Sequence, residues 1–419
     1  MSIHLHINHN DMRNRNLALI LNHLHQNSPI SRAELSSQLG INKASISTII
    51  RELIDRGIVI ENGVKSGSQD VGHPSIDLQI NPDAGRIIGI SIQSTQVTAV
   101  ITDVSPNILW RKTIDLPKIG GMEMGLLTVK SLIQEVCNLA RSQDLPILGL
   151  GLSIPGMVDI ETNRLLAAYE LGWQNFDLNS LMEGNEDINF YVGNEAHMSG
   201  LGERYFGSLE KSACTLYINW GMDISGAILI NENVVPGIMG LAGEVGHISL
   251  DPTGELCQCG NRGCWNTLVN FKSLLKYMQP NKEAEKITRQ AGCNEASLDN
   301  MCINSFVELV RLGDKPTLAA LEKSAHWLGI GLASLINLFN PDLIILGGPL
   351  SQTFDFVYPT VQAEINQRAL TWQSGSCVVQ PSRHGQDGCL IGAVATVIWN
   401  IFNNPEEPIR KTFRRKIKK

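Results

Sequence analysis

The run GEVGHISLDPTGELCQCGNRGCWN, residues 243–266, holds the densest chemistry in this 419-residue chain. Cys257, Cys259 and Cys264 share one short Gly-rich loop, and His247 precedes them at the start of a strand-like HISL. Three arrangements use such a cluster: a catalytic metal, a structural metal or a disulfide. Thiols inside a reducing cytosol stay free, and a tight cluster there favours a metal over a disulfide. Three Cys and one His form a standard tetrahedral zinc set, and four protein ligands leave no open position for a reacting water. The spacing therefore points to structural Zn2+ held by His247, Cys257, Cys259 and Cys264. The alternative keeps the cysteines, takes another fourth ligand, and leaves His247 as an ordinary buried histidine.

The rest of the chain must position that loop. Its length allows two or three domains, and 43% hydrophobic with 18% charged residues is an ordinary globular balance. The longest apolar run, Cys389 to Phe402, is too short to span a bilayer, and the N-terminus lacks a signal pattern. The reading is a cytoplasmic protein without membrane attachment. The net charge is −7 but uneven: residues 1–80 balance to zero, the last ten residues carry seven Lys and Arg, and residues 81–409 hold −14. An acidic body repels a phosphate backbone, so any DNA contact must come from local groups. The basic tail, 404–419, either assists that contact or is simply a solvated terminus.

Residues 31–62 supply local groups of that kind. Ser31 with Glu34 makes a capping box that opens a helix to Leu39, Gly40 suits the position just past its end, and Asn42 can cap the next helix. Ile46, Ile49, Ile50 and Leu53 then fall on one face at helical spacing. A preceding stripe runs from Leu17 to Leu24. This is a helix-turn-helix, and the strand-like IVIENG, a Gly-rich turn and SIDLQI add a β-wing. Without the wing the motif serves equally as a protein-interaction module. With it, Arg32, Asn42, Lys43, Ser45, Ser47, Thr48 and Arg51 are the candidates to reach DNA, and His73 at the wing loop is the candidate for a minor groove or phosphate.

Beyond residue 85 apolar strands alternate with helices. A hairpin lies in 86–105, a buried strand at Ile147–Ile154 ends in Pro-Gly, and strand, loop and helix follow in 189–207. A second hairpin spans 213–234, and a long helix leads into the strand DLIIL near 342–346. Such alternation means α/β with mixed sheets. Polar stretches in 280–303 read as a surface segment.

These motifs together resemble the ROK family of repressors, open reading frames and sugar kinases. GxxGEVGH followed by CxCGxxGC carries the resemblance, with SIPGMVD at 153–159, LGW at 171–173, GNEA at 193–196 and PDLIILGGPLS at 341–351. The N-terminal module makes the chain resemble the family's repressor branch, that of the xylose and N-acetylglucosamine repressors. The resemblance implies a winged helix-turn-helix over 1–82 followed by a two-lobed actin-like (ribonuclease H-like) fold of sugar-kinase type. The first lobe is 86–198 with a C-terminal helix near 385–403, and the second is 199–384 with the zinc loop. It further implies a sugar between the lobes, touched by Gly156, Asn194, Glu195, Glu244, His247 and Asn266. Asn266 departs from the glutamate common in the kinases.

The resemblance also bears on catalysis. Where ROK kinases carry a DxGGT-like phosphate turn, this chain reads Ser91-Ile92-Gln93-Ser94-Thr95, without the Asp or the glycines. A Cβ there crowds the close approach of phosphate that glycine permits. The second phosphate turn reads Asn219-Trp220-Gly221-Met222-Asp223, where Trp220 and Met222 are expected to add bulk and Asp223 negative charge. The base position holds Glu195, one methylene longer than Asp. The expectation is a sugar-responsive DNA-binding repressor, homodimeric or homotetrameric, that binds no ATP and catalyses nothing. The competing readings are an ATP-dependent sugar kinase with a DNA-binding head, and a repressor answering to a protein partner.

Overall fold

The computed structural model describes residues 9–64, 76–117, 120–207, 212–278 and 300–404. His73, the basic tail beyond residue 404 and most of the polar stretch in 280–303 lie outside the described residues.

The head is built from α1 (His9–Asn27), α2 (Arg32–Leu39) and α3 (Lys43–Asp55). Its caps are those the sequence calls for. Ser31 and Glu34 exchange both hydrogen bonds of a capping box, Gly40 closes α2 at φ +65°, and Asn42 accepts from the Ser45 amide at the start of α3. Ile46, Ile49, Ile50 and Leu53 pack against Leu17, Ile20, Leu21 and Leu24 of α1 in one core. The wing is a small antiparallel sheet in which β3 (Ile76–Ile80) lies between β1 (Ile30–Ser31) and β2 (Val59–Val64).

The body has two five-stranded sheets. The first runs β11-β7-β4-β5-β6, from β4 (Arg86–Ile92), β5 (Gln96–Thr102), β6 (Ile108–Asp115), β7 (Ile147–Ile154) and β11 (Phe190–Asn194). The helix α4 (Gly121–Arg141) covers it, with Val129, Leu132, Ile133 and Val136 fully buried. A small sheet of β8 (Met157–Asp159), β9 (Arg164–Ala168) and β10 (Trp173–Asp177) projects from its carboxyl edge. The second large sheet runs β14-β13-β12-β15-β16, from β12 (Cys214–Trp220), β13 (Ile224–Ile230), β14 (Asn233–Val234), β15 (Leu343–Gly347) and β16 (Val378–Pro381). The long helix Lys315–Phe339 packs on it, in the core that also holds Trp220 and Trp265. Both sheets mix parallel and antiparallel pairs, β4 with β7 parallel and β12 with β13 antiparallel, as in an actin-like body.

Between the lobes runs α5 (Glu195–Phe206), packed against the C-terminal helix Gly388–Asn403. No loop separates β11 from α5: Asn194 ends the strand and caps the helix by accepting from the Ala196 amide. The expected lobe division at 198/199 falls inside this helix. The far end of α5 meets the head. Tyr205 Oη donates to Asn22 Oδ1 at 3.0 Å, and a ring nitrogen of His25 lies 2.9 Å from the Tyr205 carbonyl. The rings of His25, Tyr205, Phe206 and Phe402 cluster within 5.3 to 6.4 Å. Burial holds His25 below its usual pKa, so this contact is a neutral aromatic one. The head core continues without a break through Ile87, Val394 and Ile398 of the first lobe. Among the described residues no helix is long and apolar enough to cross a membrane.

Candidate functional site

The Cys-rich loop folds as a compact turn. His247 sits at the end of a single 3-10 turn, Val245–His247, and the strand expected at HISL is reduced to one bridge between Ser249 and Cys264. Tight turns take the place of the strand because the loop must bring four ligands to one point. Gly263 shows the constraint: its φ is +59°, and a Cβ there would lie 1.5 Å from the Asp251 carbonyl oxygen. The ligand atoms of His247, Cys257, Cys259 and Cys264 all lie within 4.8 Å of one another. Cys259 Sγ to Cys264 Sγ and Cys257 Sγ to His247 Nδ1 are both 3.7 Å. A tetrahedron with metal–sulfur bonds of about 2.3 Å has edges of about 3.8 Å. The donor set therefore fits a four-coordinate metal through Nδ1, and the open-position geometry of a catalytic centre is absent among these four residues. His247 Nε2 faces away from the sulfurs, 3.9 Å from Glu244 Oε2.

On that other side lies a chamber of about 300 Å3 between the lobes. All six expected sugar contacts line it: Gly156, Asn194, Glu195, Glu244, His247 and Asn266. Each comes from the end of a sheet element or from the loop. Gly156 turns at φ +97° after β7, where a Cβ would fall 2.3 Å from the Ala167 carbonyl oxygen. Asn194 and Glu195 come from the β11–α5 junction. The two amides also brace the chamber wall. Asn194 Nδ2 donates to the Gly156 carbonyl at 2.7 Å, while its oxygen caps α5. Asn266 Nδ2 donates to Asp223 Oδ1 at 2.6 Å, and its oxygen accepts from the Ile224 amide at 3.0 Å. Both asparagines shape the chamber wall with hydrogen bonds internal to the protein.

Glu195 is held by Asn219 Nδ2 at 2.8 Å and by the Ser225 hydroxyl at 3.1 Å, both on Oε1. Burial is the largest influence on its carboxyl. The two hydrogen bonds oppose it, Asp223 and Glu244 add to it, and the pKa is pushed up to about 7 from an ordinary 4.5. The folded protein thus keeps a proton here that the unfolded chain releases near pH 4.5. This contribution to stability is complete below that pH and lost as pH rises through about 7. Thermal unfolding between pH 5 and 7.5 is expected to show the decline, up to about 3 kcal/mol from this group. Glu195→Gln is expected to flatten it, and an unchanged slope would show that Glu195 ionises normally.

Glu170 was not among the expected site residues, yet it lines the chamber beside Asp223. Burial first, then the charges of Asp223 and Glu195, hold Glu170 well above the carboxylate range, and it shares a hydrogen bond with Asp223. The one hint in the sequence is an isolated acid before the LGW turn. Asp223 and Met222 do face the second phosphate position, in a small cavity of about 40 Å3 with Gln93 and Ser94. Trp220 does not. Its ring is fully buried in the second-lobe core, with Nε1 donating to the Val269 carbonyl at 2.7 Å. Asn219 faces the cleft, and pleating turns the next residue to the opposite side.

On the head, Lys43, Thr48 and Arg51 are exposed on α3, with Ser45 and Ser47 half-buried beside them. Arg32 is paired with Glu61 of the wing at 2.6 Å, and Asn42 spends its side-chain oxygen on its cap. Among the described residues, Lys43 and Arg51 are cations on this face without an ion-pair partner.

Residues 13–60 match a winged helix-turn-helix DNA-binding family, and residues 87–399 match the ROK family. The chain belongs to the ROK family. Among curated relatives of this ROK protein, the xylose repressor of Caldicellulosiruptor bescii is 28% identical over 95% of this chain and 99% of its own. The DNA-binding transcriptional dual regulator NagC of Escherichia coli is 24% identical over 85% of each chain. A ROK family transcriptional regulator, a homologue of the E. coli MLC protein, shares the fold at a TM-score of 0.77 and 23% identity, covering 95% of this chain and 99% of that one. The ROK glucokinase of Streptomyces griseus, solved with glucose and AMPPNP, superposes at a TM-score of 0.63 and 25% identity over 74% of this chain and 99% of its own. This ROK protein thus joins a DNA-binding head to a sugar-kinase-like body, the organisation of a transcriptional regulator.

Proposed function

We propose that this ROK protein is a cytoplasmic, sugar-responsive repressor of carbohydrate-metabolism genes. It binds a palindromic operator as a homodimer or homotetramer through α3 and the wing, with Lys43 and Arg51 on phosphate or base edges. A monosaccharide occupies the chamber, and Zn2+ in the Cys3His set fixes the loop that presents Glu244 and His247. A chamber of about 300 Å3 suits one sugar ring and is at the small end of ligand pockets, roughly 300–1,000 Å3. Glu244 accepts from sugar hydroxyls, and with Nδ1 on the metal, His247 Nε2–H is left to donate. Zinc bound there supplies rigidity and holds one tautomer of the ring.

One observation carries this reading. α5 begins at Glu195 in the chamber and ends at Tyr205 and Phe206 against α1 of the head. Twelve helical residues span about 18 Å, so a shift where the sugar binds is delivered to the DNA-binding unit by one rigid element. A sugar that prefers one setting of α5 shifts the population toward it, and the half-site spacing of the heads changes. The experiment is a thermal-shift titration with D-xylose, D-glucose, N-acetyl-D-glucosamine and D-glucosamine. One of these sugars is expected to raise Tm by mass action, and Glu244→Ala to remove the rise. A panel without any shift would contradict the reading.

A kinase reading is favoured by Glu195 alone, since a carboxyl with a pKa of about 7 suits a general base. Against it stands Asp223, an acidic side chain in the small cavity where a nucleotide's phosphates would lie, beside Glu170. Sugar-dependent ADP release is therefore expected to stay at background with every sugar of the panel. Turnover that Glu195→Ala abolishes would overturn this.

A further inference from the structure

The chamber's hydrogen-bonding ledger is one-sided. Glu170, Glu195, Asp223 and Glu244 line it, and no Lys or Arg is among its lining residues. Asn194 Nδ2 places one of its two hydrogens on the Gly156 carbonyl, and Asn266 Nδ2 places one on Asp223 Oδ1. The Ser225 hydroxyl donates to Glu195. The wall is thus rich in carboxyl oxygens and holds no fixed positive charge. Asn219 adds an independent sign of the same need: it is 6% exposed, its nitrogen is bound to Glu195, and its Oδ1 is buried without any partner. Asn219 lines the small cavity that shares Glu170, Glu195 and Asp223 with the chamber. A buried acceptor without a partner is costly, and a hydroxyl or ammonium donor relieves it.

We infer that the effector is an unphosphorylated sugar, a neutral polyol or an amino sugar, and that the Asp223–Glu170 carboxyl pair excludes sugar phosphates. The inference rests on the reading of the chamber as a sugar site and adds the ligand's charge class. A phosphate brings two negative charges and only acceptor oxygens to a wall that holds four acidic residues and no Lys or Arg. Asp223 cannot swing aside without breaking the bonds that Asn266 and Glu170 make to it. Asp223 is fixed by the Asn266 amide, and Glu170 lies beside it with its carboxyl held well above the carboxylate range, first by burial. Discrimination of this kind is built from repulsion as much as from attraction.

The test is calorimetric titration of the full chain with matched pairs: D-glucose and its 6-phosphate, N-acetyl-D-glucosamine and its 6-phosphate, D-ribose and its 5-phosphate. D-xylose and D-glucosamine are added as free sugars. The free member of the binding pair is expected to bind at least about 100-fold more tightly than its phosphate, a gap of the size that unscreened like charges impose in a semi-buried site. Asp223→Asn, alone and together with Glu170→Gln, is expected to narrow the gap at least about tenfold, since the carboxyl pair is then replaced by neutral amides of the same shape. A phosphorylated sugar that binds as well as or better than its free form overturns the inference while leaving the sugar site intact. A gap that persists unchanged in both variants overturns the assignment to this pair. Silence from every free sugar and every phosphate overturns the sugar reading itself, and the inference with it.

Discussion

Cys257→Ser strips the metal from the purified protein, lowers Tm by about 10 °C and abolishes the response to sugar. These are the outcomes the loop geometry leads us to expect. Ser is a poor zinc ligand, and with three ligands left the loop no longer closes a tetrahedron. Metal-free, the turn from His247 to Cys264 is left with short-range backbone bonds, such as Gly254 N–H to the Asp251 carbonyl and Gly260 N–H to the Cys257 carbonyl, and with two isolated bridges, Ser249 with Cys264 and Leu256 with Arg262. Structural metal sites contribute folding energy directly, and a loss of about 3–5 kcal/mol moves Tm by about 10 °C in a domain of this size. The sugar response falls because His247 belongs to both sites, Nδ1 beside Cys257 and Nε2 toward Glu244. Metal content by atomic emission, unfolding by calorimetry and sugar binding by titration check the three parts separately. Normal sugar affinity in the metal-free variant would break the coupling while leaving the metal assignment standing.

The second large effect concerns transmission. Tyr205→Ala is expected to leave sugar affinity within about twofold and to remove most of the sugar's effect on operator binding. The tyrosine ring fills the space between His25, Phe206 and Phe402, and its hydroxyl donates to Asn22. Removing it empties the joint between α5 and α1 while Glu195 stays in place at the other end of the helix. Coupling between sites is typically worth about 1–3 kcal/mol, or 5- to 150-fold in affinity. Tyr205→Phe guards against a merely unfolded head, since it keeps the ring and loses only the hydroxyl's bonds to Asn22 and Asn403, each worth about 1 kcal/mol at most. It is expected to reduce the coupling in part. Full coupling in the Ala variant would show that the signal reaches the head by another route.

Much of this architecture is legible in the residues. Ser31, Glu34, Gly40 and Asn42 mark the head's helix ends because caps are local chemistry, decided within four residues. The metal cluster is legible for the same reason, since its ligands share one loop and His247. Gly156, Glu195 and Glu244 come together in one chamber because they lie at strand and helix ends and turns whose order the fold fixes. Long-range partners are another matter. Asn266 reads as a ligand contact until its amide is found on Asp223, 43 residues away, and Glu170 gives almost no sign of itself. The contact between Tyr205 and His25 joins positions 180 residues apart and leaves no periodic trace. The direction of Trp220 was accessible: alternation along β12 puts it opposite Asn219, in the core.

A sugar in the chamber is expected to control the grip of the head on DNA. The most direct measurement is fluorescence anisotropy of the full chain on an operator selected from random DNA. It is titrated at fixed salt with each free sugar of the panel, because DNA affinity depends strongly on ionic strength. The account predicts that the sugar which stabilises the protein weakens operator binding by at least about tenfold, reciprocally with the effect of operator on sugar affinity. A sugar that binds the chamber and leaves operator affinity unchanged would contradict it.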